Sequence, residues 1–550
     1  MERTTPKDSR RGLARLVAAL AALCLVPNTP ASAQQTPAEV AKPIRLASPT
    51  AFRVYQRDRD GRASIPVRLD PEIGEGQILT ARLNVSAASP AFNPAAFPGV
   101  PGFRPGLPPD EARFEGDRFV NVPTGGPYAL TVTVRKGDTR ADVVVDPIFV
   151  GDLWVLAGQS NMEGYGNLID VSPSFPMVMS LGMDGAWGVA KEPLHWLVDS
   201  PDPVHSGDPA TRAERSAQQH KARAKGAGLG LAFATAMVQN TGIPVGLIPC
   251  AHGGTSMAQW DPAKKAEEGK SLYGSMIRQL NLAGGGVKGV LWYQGESDAN
   301  PEASQVYRKT FTEFIKAVRA DLDQPDLPFY FVQIGRFIRA GDPGPWNTVQ
   351  DLQRRIAEEV PGTAVVSVID LELDDLIHVG TSGLKRTGQR LARIALRELY
   401  GQAGATTPTF DRVIKSSGNT LLVKFKGVNL VPDPSRGGVG PAPMPGMMMP
   451  DRRFGRPGMG GSPNAPVIGL TPAQRIAGFS IRKADGEEIP LIFQASLGKG
   501  LDTVELKLTG PIPEGAFLWY GHGLDPFCNL ADGADMAVPV FGPVPLDDVR

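Results

Sequence analysis

The feature that most constrains the fold is an alternation of two hydrophobic periods over residues 148–402. Short continuous apolar runs, typical of buried strands, alternate with longer stretches in which apolar residues recur every three or four positions, as in amphipathic helices. The strand-like runs are 150–156, 244–249, 287–293, 328–334 and 363–370, and the helical stretches are 226–240, 302–322, 348–360 and 384–400. Because strands that alternate with helices pair in parallel beneath helical layers, this region predicts an α/β domain whose parallel sheet has helices on both faces.

Both flanks of this region have a different pattern. Residues 48–147 contain short alternating segments such as "ILTARLNVS" and "YALTVTVRK", which predict an N-terminal β-sandwich domain with a long loop at 92–110. Residues 403–550 again show short β segments, and we expect a C-terminal β-rich domain with a disordered Pro/Gly/Met-rich insertion at 432–466. A chain of 550 residues is too long for one core, in keeping with several domains.

The N-terminus has the three parts of an export signal. An arginine-rich start precedes an apolar run, Leu16 to Val26, and the small-residue sequence "ASA" ends at Ala33. We therefore expect a signal peptide at 1–33, a disordered leader at 34–47, and a mature protein that is periplasmic or secreted. The apolar run is too short to cross a bilayer, and no membrane span is expected.

Charge and cysteine content limit the classes of partner and cofactor. The 57 basic residues balance 57 acidic ones, which argues against nucleic acid as a partner because phosphate binding needs a basic surface. Cys250 and Cys528 remain after signal cleavage, either as a disulfide or as buried thiols. The sequence has no His-x-x-x-His or Cys-x-x-Cys spacing, and we expect neither a metal nor an organic cofactor.

The segment "FVGDLWVLAGQSNMEGYG" (149–166) places an isolated serine where the first strand of the α/β region ends. Ser160 lies between Gln159 and Asn161 on a small-residue turn, where its oxygen would project from the backbone as a nucleophile must. Strand ends of parallel sheets are also where ligands bind. The alternative is that Ser160 or Asn161 caps the following helix.

Two further strand ends carry groups that could stabilise an oxyanion. In "PCAHGGTSMAQW" (249–260), a glycine pair that ends at Gly254 allows backbone N–H groups to approach a ligand closely. In "GVLWYQGESDAN" (289–300), the Gln294 amide can donate to an oxyanion, and the Glu296 carboxylate can orient a histidine. An ordinary turn and a solvated loop are the alternatives for these two segments.

The fourth segment, "LDDLIHVGTSGLK" (373–385), supplies a base and an acid. Asp375 and His378 are three residues apart on a turn before a helix, so the carboxylate can bond one ring nitrogen and leave the other to take a proton from serine. Such a pair is often structural. His252 is the other candidate base, because it precedes the glycine pair.

These four segments, in this order and spacing, resemble the sialate O-acetylesterase family of the SGNH-hydrolase superfamily, which includes related acetylxylan esterases. The resemblance extends to "GGPYALTV" (125–132) and to "WYGHGLDPFCNLADGADMAVPVFGP" (519–543), and covers roughly residues 48–550 apart from 432–466. It implies an SGNH-hydrolase-like α/β fold flanked by N- and C-terminal β-rich domains. The family's histidine is usually followed by proline, whereas this chain has "HVGTSGLK".

The resemblance also implies roles for the residues in these segments. Ser160 would be the nucleophile, His378 the base, and Gly254 and Gln294 would lie near the oxyanion. Asp375 is favoured as the acid, with Glu296 as the alternative used by some relatives. Gln159 and Asn161 would line the site beside the serine.

The function implied is that of an exported serine esterase that removes acetyl groups from sialic acid or related O-acetylated sugars. An acetylxylan esterase is the alternative within this class, since specificity lies in loops. A catalytically silent carbohydrate-binding protein is the alternative from another class, although both Ser160 and His378 are present. A lipase-like esterase would need an apolar acyl pocket, which the polar side chains of Gln159, Asn161 and Gln294 do not favour.

Overall fold

The structure is a computed structural model, and it describes residues 45–70, 72, 77–86, 112–429, 476–547 and 549. The predicted signal peptide, nearly all of the leader, the loop at 92–110 and the insertion at 432–466 lie outside the described residues. No helix in the described ranges is long and apolar enough to cross a membrane.

The N-terminal region consists of β-strands. Its strands are β1 (Arg45–Ser48), β2 (Val54–Gln56), β3 (Arg62–Pro66), β4 (Arg68–Asp70), β5 (Ile78–Val85), β6 (Arg113–Glu115), β7 (Arg118–Pro123), β8 (Gly125–Lys136) and β9 (Thr139–Gly158). Strands β3, β7 and β6 form one antiparallel sheet, β1 pairs with β4, and β5 pairs with β8, which pairs with β9. Alternate residues of these strands pack together in a core that includes Ile65, Val122, Tyr128 and Leu130.

Strands and helices alternate in the α/β region, as the sequence predicts. The elements are α1 (Ser160–Glu163), β10 (Gly166–Asn167), β11 (Val178–Leu181), β12 (Trp187–Val189), α2 (Pro203–Ser206), α3 (Arg212–Ala222), β13 (Lys225–Ala227), α4 (Gly230–Thr241), β14 (Val245–Pro249), α5 (Leu272–Ala283), β15 (Gly289–Tyr293), α6 (Ala303–Asp321), β16 (Phe329–Val332), α7 (Gly344–Glu359), β17 (Thr363–Val366) and α8 (Thr381–Tyr400). Three 3₁₀-helical segments span Leu197–Asp199, Pro262–Lys270 and Glu296–Asp298.

The sheet of this region has the strand order β12-β11-β14-β9-β15-β16-β17, and all of these pairs are parallel except β11 with β12. Helices cover both faces. Trp154 packs against Phe233 of α4 with ring centroids 4.8 Å apart, and Trp292 packs against Phe314 of α6 at 4.6 Å. Trp292 is paired with Ala157, three residues beyond Trp154, so the two tryptophans lie on opposite faces. The predicted α/β class, with parallel strands between helical layers, is confirmed.

Strand β9 belongs to two parts of the molecule. Its first half pairs with β8, and its second half lies between β14 and β15 in the parallel sheet. The strand therefore runs across the domain boundary predicted at residue 147 without a break. The division into domains stays a prediction. The polypeptide enters the turn before Ser160 from this strand of 20 residues.

The described residues of the C-terminal region form two four-stranded antiparallel sheets. Their strands are β18 (Thr409–Ser416), β19 (Thr420–Lys426), β20 (Phe479–Arg482), β21 (Glu488–Ile489), β22 (Ile492–Leu497), β23 (Thr503–Leu508), β24 (Phe517–Tyr520) and β25 (Phe541–Pro545). The sheet orders are β18-β19-β23-β22 and β21-β20-β24-β25, with a core of their own between them. Cys250 and Cys528 are both free and buried, so the structure contains no disulfide between them.

Candidate active site

The turn between β9 and α1 places Ser160 at the carboxyl edge of the sheet. Gly158 has a φ of +134°, and a Cβ atom there would lie 2.2 Å from the carbonyl oxygen of Tyr293 on the neighbouring strand, so only glycine fits. Gln159 is the N-cap residue of α1, and its side chain makes no capping bond. Ser160 follows as the first helical residue, which does not support the helix-cap alternative for its side chain.

Ser160, His378 and Asp375 form one chain of hydrogen bonds. The Ser160 Oγ is 2.9 Å from His378 Nε2, and His378 Nδ1 is 2.9 Å from Asp375 Oδ2. An ionised carboxylate can only accept, so the neutral tautomer that fits carries its proton on Nδ1 and leaves Nε2 to accept from the serine hydroxyl. The ring of Tyr165 stacks on the imidazole with centroids 4.2 Å apart and fixes its plane.

The Asp375 carboxylate is oriented from both sides. Its Oδ1 accepts the backbone N–H groups of Ile377 and His378 at 3.0 and 2.9 Å, and its Oδ2 accepts from Lys225 Nζ at 3.0 Å. Partial burial acts to raise the pKa of Asp375, but the bonds from Ile377, His378 and Lys225 outweigh it and hold that pKa well below its usual range. Asp375 therefore remains ionised when His378 becomes cationic.

Asn161 ties the histidine loop to the serine turn. Its Oδ1 accepts from Val379 N at 3.0 Å, and its Nδ2 donates to Glu296 Oε1 at 2.8 Å and to Ile377 O at 3.5 Å. The residues on both sides of His378 are thus bonded to the residue that follows Ser160. Asn161 positions the base here, whereas the sequence placed it among the substrate-binding residues.

Glu296 does not contact His378, so the alternative that makes it the acid of the triad is corrected. Asp375 occupies the Nδ1 side of the imidazole, and Glu296 Oε1 instead accepts from the Asn161 amide. Burial raises the pKa of Glu296 to about 7, the hydrogen bond from Asn161 opposes this, and the charge of Asp298 adds to it. Glu296 lies after the end of β15, and β15 pairs directly with β9, the strand that leads to Ser160.

Gln294 is also placed differently from the expectation. It is fully buried, and its Nε2 donates to Thr255 O at 3.1 Å and to the carboxylate of Asp298. Because both hydrogens of the Gln294 amide are engaged, the expectation that this amide donates to an oxyanion is corrected. The Gln294 side chain instead joins the loops that carry Thr255 and Asp298. Gln159 also joins two loops, because its Oε1 accepts from Ser297 N at 3.3 Å.

The glycine pair of the second segment lies beside the serine. Gly253 N–H donates to Glu163 Oε2 at 2.8 Å, and a Cβ atom at Gly253 would lie 3.4 Å from that of Ser160. Gly254 has a φ of +70° with open space around it. Among the described residues, neither Ser160 N–H nor Gly254 N–H has an acceptor, so both are left for a ligand oxygen. The role of Gly254 near the oxyanion stays a prediction.

His252, the other candidate base, is bonded away from the serine. Its Nδ1 is 3.0 Å from His205 Nδ1, so one of the two rings donates and the other accepts. Burial lowers the pKa of both histidines, that of His205 to about 3. Neither ring contacts Ser160, and His378 is the histidine that the fold brings to it.

Three residues of the site were missed in the sequence. Glu163 and Tyr165 lie in the same segment as Ser160. A carboxylate and an aromatic ring so soon after the serine turn could have indicated that they belong to the site. Lys225 lies 150 positions before Asp375 and has no local signal, because only the pairing of β10 with β13 brings it to the site.

A cleft of about 680 Å³ adjoins these groups. It is lined by Glu163, Gly164, Tyr165, Leu197, Arg215, Gln218, Gln219, Ala222, Arg223, Ala224 and Lys225. The lining combines basic and amide side chains with apolar and aromatic ones. Within the described ranges, no group of three or more His, Cys, Asp or Glu side chains could hold a metal ion.

The chain is similar in sequence to known carbohydrate esterases. Residues 150–397 match the family model described as carbohydrate esterase, sialic acid-specific acetylesterase. A probable carbohydrate esterase of Arabidopsis thaliana is 27% identical over 288 residues, which are 48% of this chain and 97% of that protein.

The fold has a solved relative over most of its length. The crystal structure of a carbohydrate acetylesterase from Xanthomonas citri covers 90% of this chain and 97% of its own, with a TM-score of 0.54 and 21% identity, and is similar in fold. The resemblance predicted from the four segments is thereby confirmed. Residues 150–397, somewhat less than half of the chain, are thus similar to the carbohydrate esterase family of sialic acid-specific acetylesterases, and the protein is an esterase.

Proposed function

We propose that the protein is an exported O-acetylesterase that removes acetyl groups from sialic acid or a related O-acetylated sugar through an acyl-enzyme on Ser160. The observation that carries the mechanism is the unbroken hydrogen-bond chain from Ser160 Oγ through His378 to Asp375. The similarity of residues 150–397 to this family supports the acetyl ester as the bond that is cleaved.

In the first half-reaction, His378 Nε2 takes the proton of Ser160 as the serine oxygen attacks the acetyl carbonyl carbon. The oxyanion that forms is stabilised by the backbone N–H groups of Ser160 and Gly254, which are free among the described residues. The imidazolium is stabilised by Asp375, and it returns the proton to the departing sugar hydroxyl. The acetyl group is then esterified to Ser160.

In the second half-reaction, water replaces the sugar. His378 takes a proton from water, the hydroxide attacks the acetyl-serine carbonyl, and the same two N–H groups stabilise the second oxyanion. Collapse of this intermediate returns the proton to Ser160 Oγ and releases acetate. Every proton passes through His378 Nε2.

The cleft supports an acidic sugar as the substrate class. Arg215 lines it together with Gln218 and Gln219, whose side chains can bind the carboxylate and hydroxyl groups of such a sugar. Tyr165 lies at the boundary between the cleft and the imidazole. Acetylated xylan, the neutral alternative, has no carboxylate for Arg215 to bind.

Export rests on the N-terminal sequence, in which an arginine-rich start, an apolar run and a small-residue site ending at Ala33 follow one another. We propose cleavage near Ala33 and release to the periplasm or the medium. N-terminal sequencing of the protein recovered from each cell fraction tests this, and an uncleaved chain in the cytosol would contradict it.

The test of the activity compares acetate release by the wild type, Ser160→Ala and Ser174→Ala from O-acetylated sialic acid and from acetylated xylan. Ser174 is an exposed serine and serves as the matched control. We expect Ser160→Ala to lose about 10³-fold or more in kcat while Ser174→Ala is unchanged.

Each outcome of this comparison identifies a function. Faster release from the acidic sugar supports the proposal, and faster release from xylan would identify the plant-polysaccharide branch. Equal activity of the wild type and Ser160→Ala would exclude Ser160 as nucleophile. Sugar binding without release by the wild type would identify a binding protein.

A further inference from the structure

The triad carboxylate has a second cationic partner that the catalytic mechanism does not use. Lys225 Nζ is 3.0 Å from Asp375 Oδ2, and the same oxygen is 2.9 Å from His378 Nδ1. One carboxylate oxygen is therefore shared between an ammonium group and the imidazole.

The backbone around Lys225 holds this side chain at the site. Lys225 begins β13, where it is paired with Asn167 of β10. The carbonyl oxygen of Lys225 accepts from Arg223 Nε at 2.8 Å. On the other side of the ion pair, Asp374 accepts from Asn167 N and Nδ2 at 3.0 and 2.8 Å, which ties the aspartate loop to β10.

We propose that Lys225 is a positioning residue that holds Asp375 from the solvent side and makes His378 harder to protonate, which extends the activity of the esterase to lower pH. The kinetic part of this inference rests on the proposed function, and the effect on the imidazole does not. The physical cause is that two positive charges compete for one carboxylate, so the imidazolium is stabilised less than it would be by Asp375 alone.

Other charged groups near His378 are separated from Asp375. Glu163 is bonded to Gly253 N and lies 3.5 Å from Arg223, and Glu296 is bonded to Asn161. Tyr165 stacks on the ring without an ion pair. Among the described residues, Lys225 and His378 are the two that form ion pairs with Asp375.

The size of the effect is limited by solvent. The Lys225 and Asp375 side chains are 39% and 35% exposed, so water and salt screen their interaction. We therefore expect the loss of the Lys225 charge to have a smaller effect than the loss of a buried charge would have.

The experiment follows the His378 ring by NMR in the full chain with labelled histidine, across a pH series. His378→Gln identifies the signal, since the chain has six histidines. The variants are Lys225→Met, Lys225→Gln, which keeps a hydrogen-bond donor, and Lys225→Arg, which keeps the charge. Lys221→Met on α3 is the control, because Lys221 is exposed and forms no ion pair with a described residue. Circular dichroism confirms that each variant is folded.

An upward shift in Lys225→Met and Lys225→Gln, but not in Lys225→Arg or Lys221→Met, supports the proposal. The acidic limb of kcat/KM should then move upward by the same amount in the two neutral variants. An unmoved midpoint overturns the proposal, and an increase in KM alone would make Lys225 a substrate contact instead. If the wild type hydrolyses no acetyl ester, the proposed function fails, while the NMR midpoint still decides the role of Lys225.

Discussion

At the scale of single residues, the site depends on which carboxylate reaches the imidazole. Both Asp375 and Glu296 are candidates for the acid in the sequence. Asp375 lies three residues before His378, and Glu296 follows the end of a predicted strand. In the structure Asp375 bonds His378 Nδ1, whereas Glu296 bonds the amide of Asn161. Asp375 therefore contacts the base directly, whereas Glu296 contacts it only through Asn161. Substitution of the two carboxylates should have different effects on activity.

We predict that Asp375→Asn lowers kcat by about 10³- to 10⁴-fold, because an amide cannot stabilise the imidazolium and favours the wrong tautomer. Glu296→Gln should lower kcat by about tenfold at most, since a Gln side chain can still accept from Asn161 through its carbonyl oxygen. Steady-state kinetics of acetate release on both variants measures the difference.

Circular dichroism and thermal unfolding serve as controls for this pair. A larger kinetic loss in Glu296→Gln than in Asp375→Asn, with both variants folded, would exchange the two assignments. Equal losses would show that the loop bonds of Asn161 contribute as much as the charge of Asp375.

At the scale of elements, the strand–turn–helix unit from β9 to α1 determines where the nucleophile lies. The strand is buried from Ile148 to Gly158, and α1 has only four residues. A short helix adds little stability of its own, so the turn depends on close contact between β9 and β15. At Gly158 the backbone of β9 lies so close to Tyr293 of β15 that a Cβ atom would clash with the Tyr293 carbonyl oxygen.

We predict that Gly158→Ala destabilises the protein by at least about 2 kcal/mol and abolishes activity. The added Cβ would lie 2.2 Å from Tyr293 O at a φ of +134°, so the strand end and Ser160 must shift. Chemical denaturation and acetate release measure the two effects.

Gly188→Ala is the matched control for this substitution. Gly188 lies in β12 with no atom within 4 Å of an added Cβ, and we expect a change below about 0.5 kcal/mol. If the two alanine variants were equally stable, the turn would not have the tight geometry described.

At the scale of the whole molecule, buried ionisable groups make stability depend on pH. Burial first, and then electrostatic interaction with His252, His195 and Arg278, lower the pKa of His205 to about 3. The unfolded chain therefore takes up a proton near pH 6.5 that the folded chain does not accept until about pH 3. The stability that neutral His205 contributes above pH 6.5 is thus lost as the pH falls through this window.

We predict that His205→Asn removes this part of the pH dependence. Between pH 6 and pH 4 the wild type should lose stability more steeply than the variant, by about 1.4 kcal/mol per pH unit. His195 has the same sign, with a pKa lowered to about 3, whereas burial raises the pKa of Glu192 and Glu296 to about 7 and gives the opposite sign.

The measurement is urea denaturation of both proteins at several pH values. His195, Glu192 and Glu296 are present in both, so their contributions cancel in the difference. Parallel stability curves for the wild type and His205→Asn would contradict the assignment of a buried neutral His205.

Much of this protein could be predicted from local patterns in the sequence. The alternation of apolar runs and amphipathic stretches indicated the parallel sheet, because burial of a strand or a helix face requires that periodicity. Ser160, His378 and Asp375 are candidates because each lies at a strand end or on a turn with a suitable neighbour, and the resemblance to the sialate O-acetylesterase family implies their roles. The structure brings all three together.

Other features depended on contacts between residues far apart in sequence. Gln294 and Glu296 have the right chemistry for catalysis, yet their hydrogen bonds go to Asp298 and Asn161. Lys225 reaches Asp375 across 150 positions through a pairing of two short strands. The sequence by itself determined which residue types stand at the strand ends, because that information is local. Only the tertiary structure decided which donor meets which acceptor, because each polar group has several partners of suitable chemistry and packing selects one.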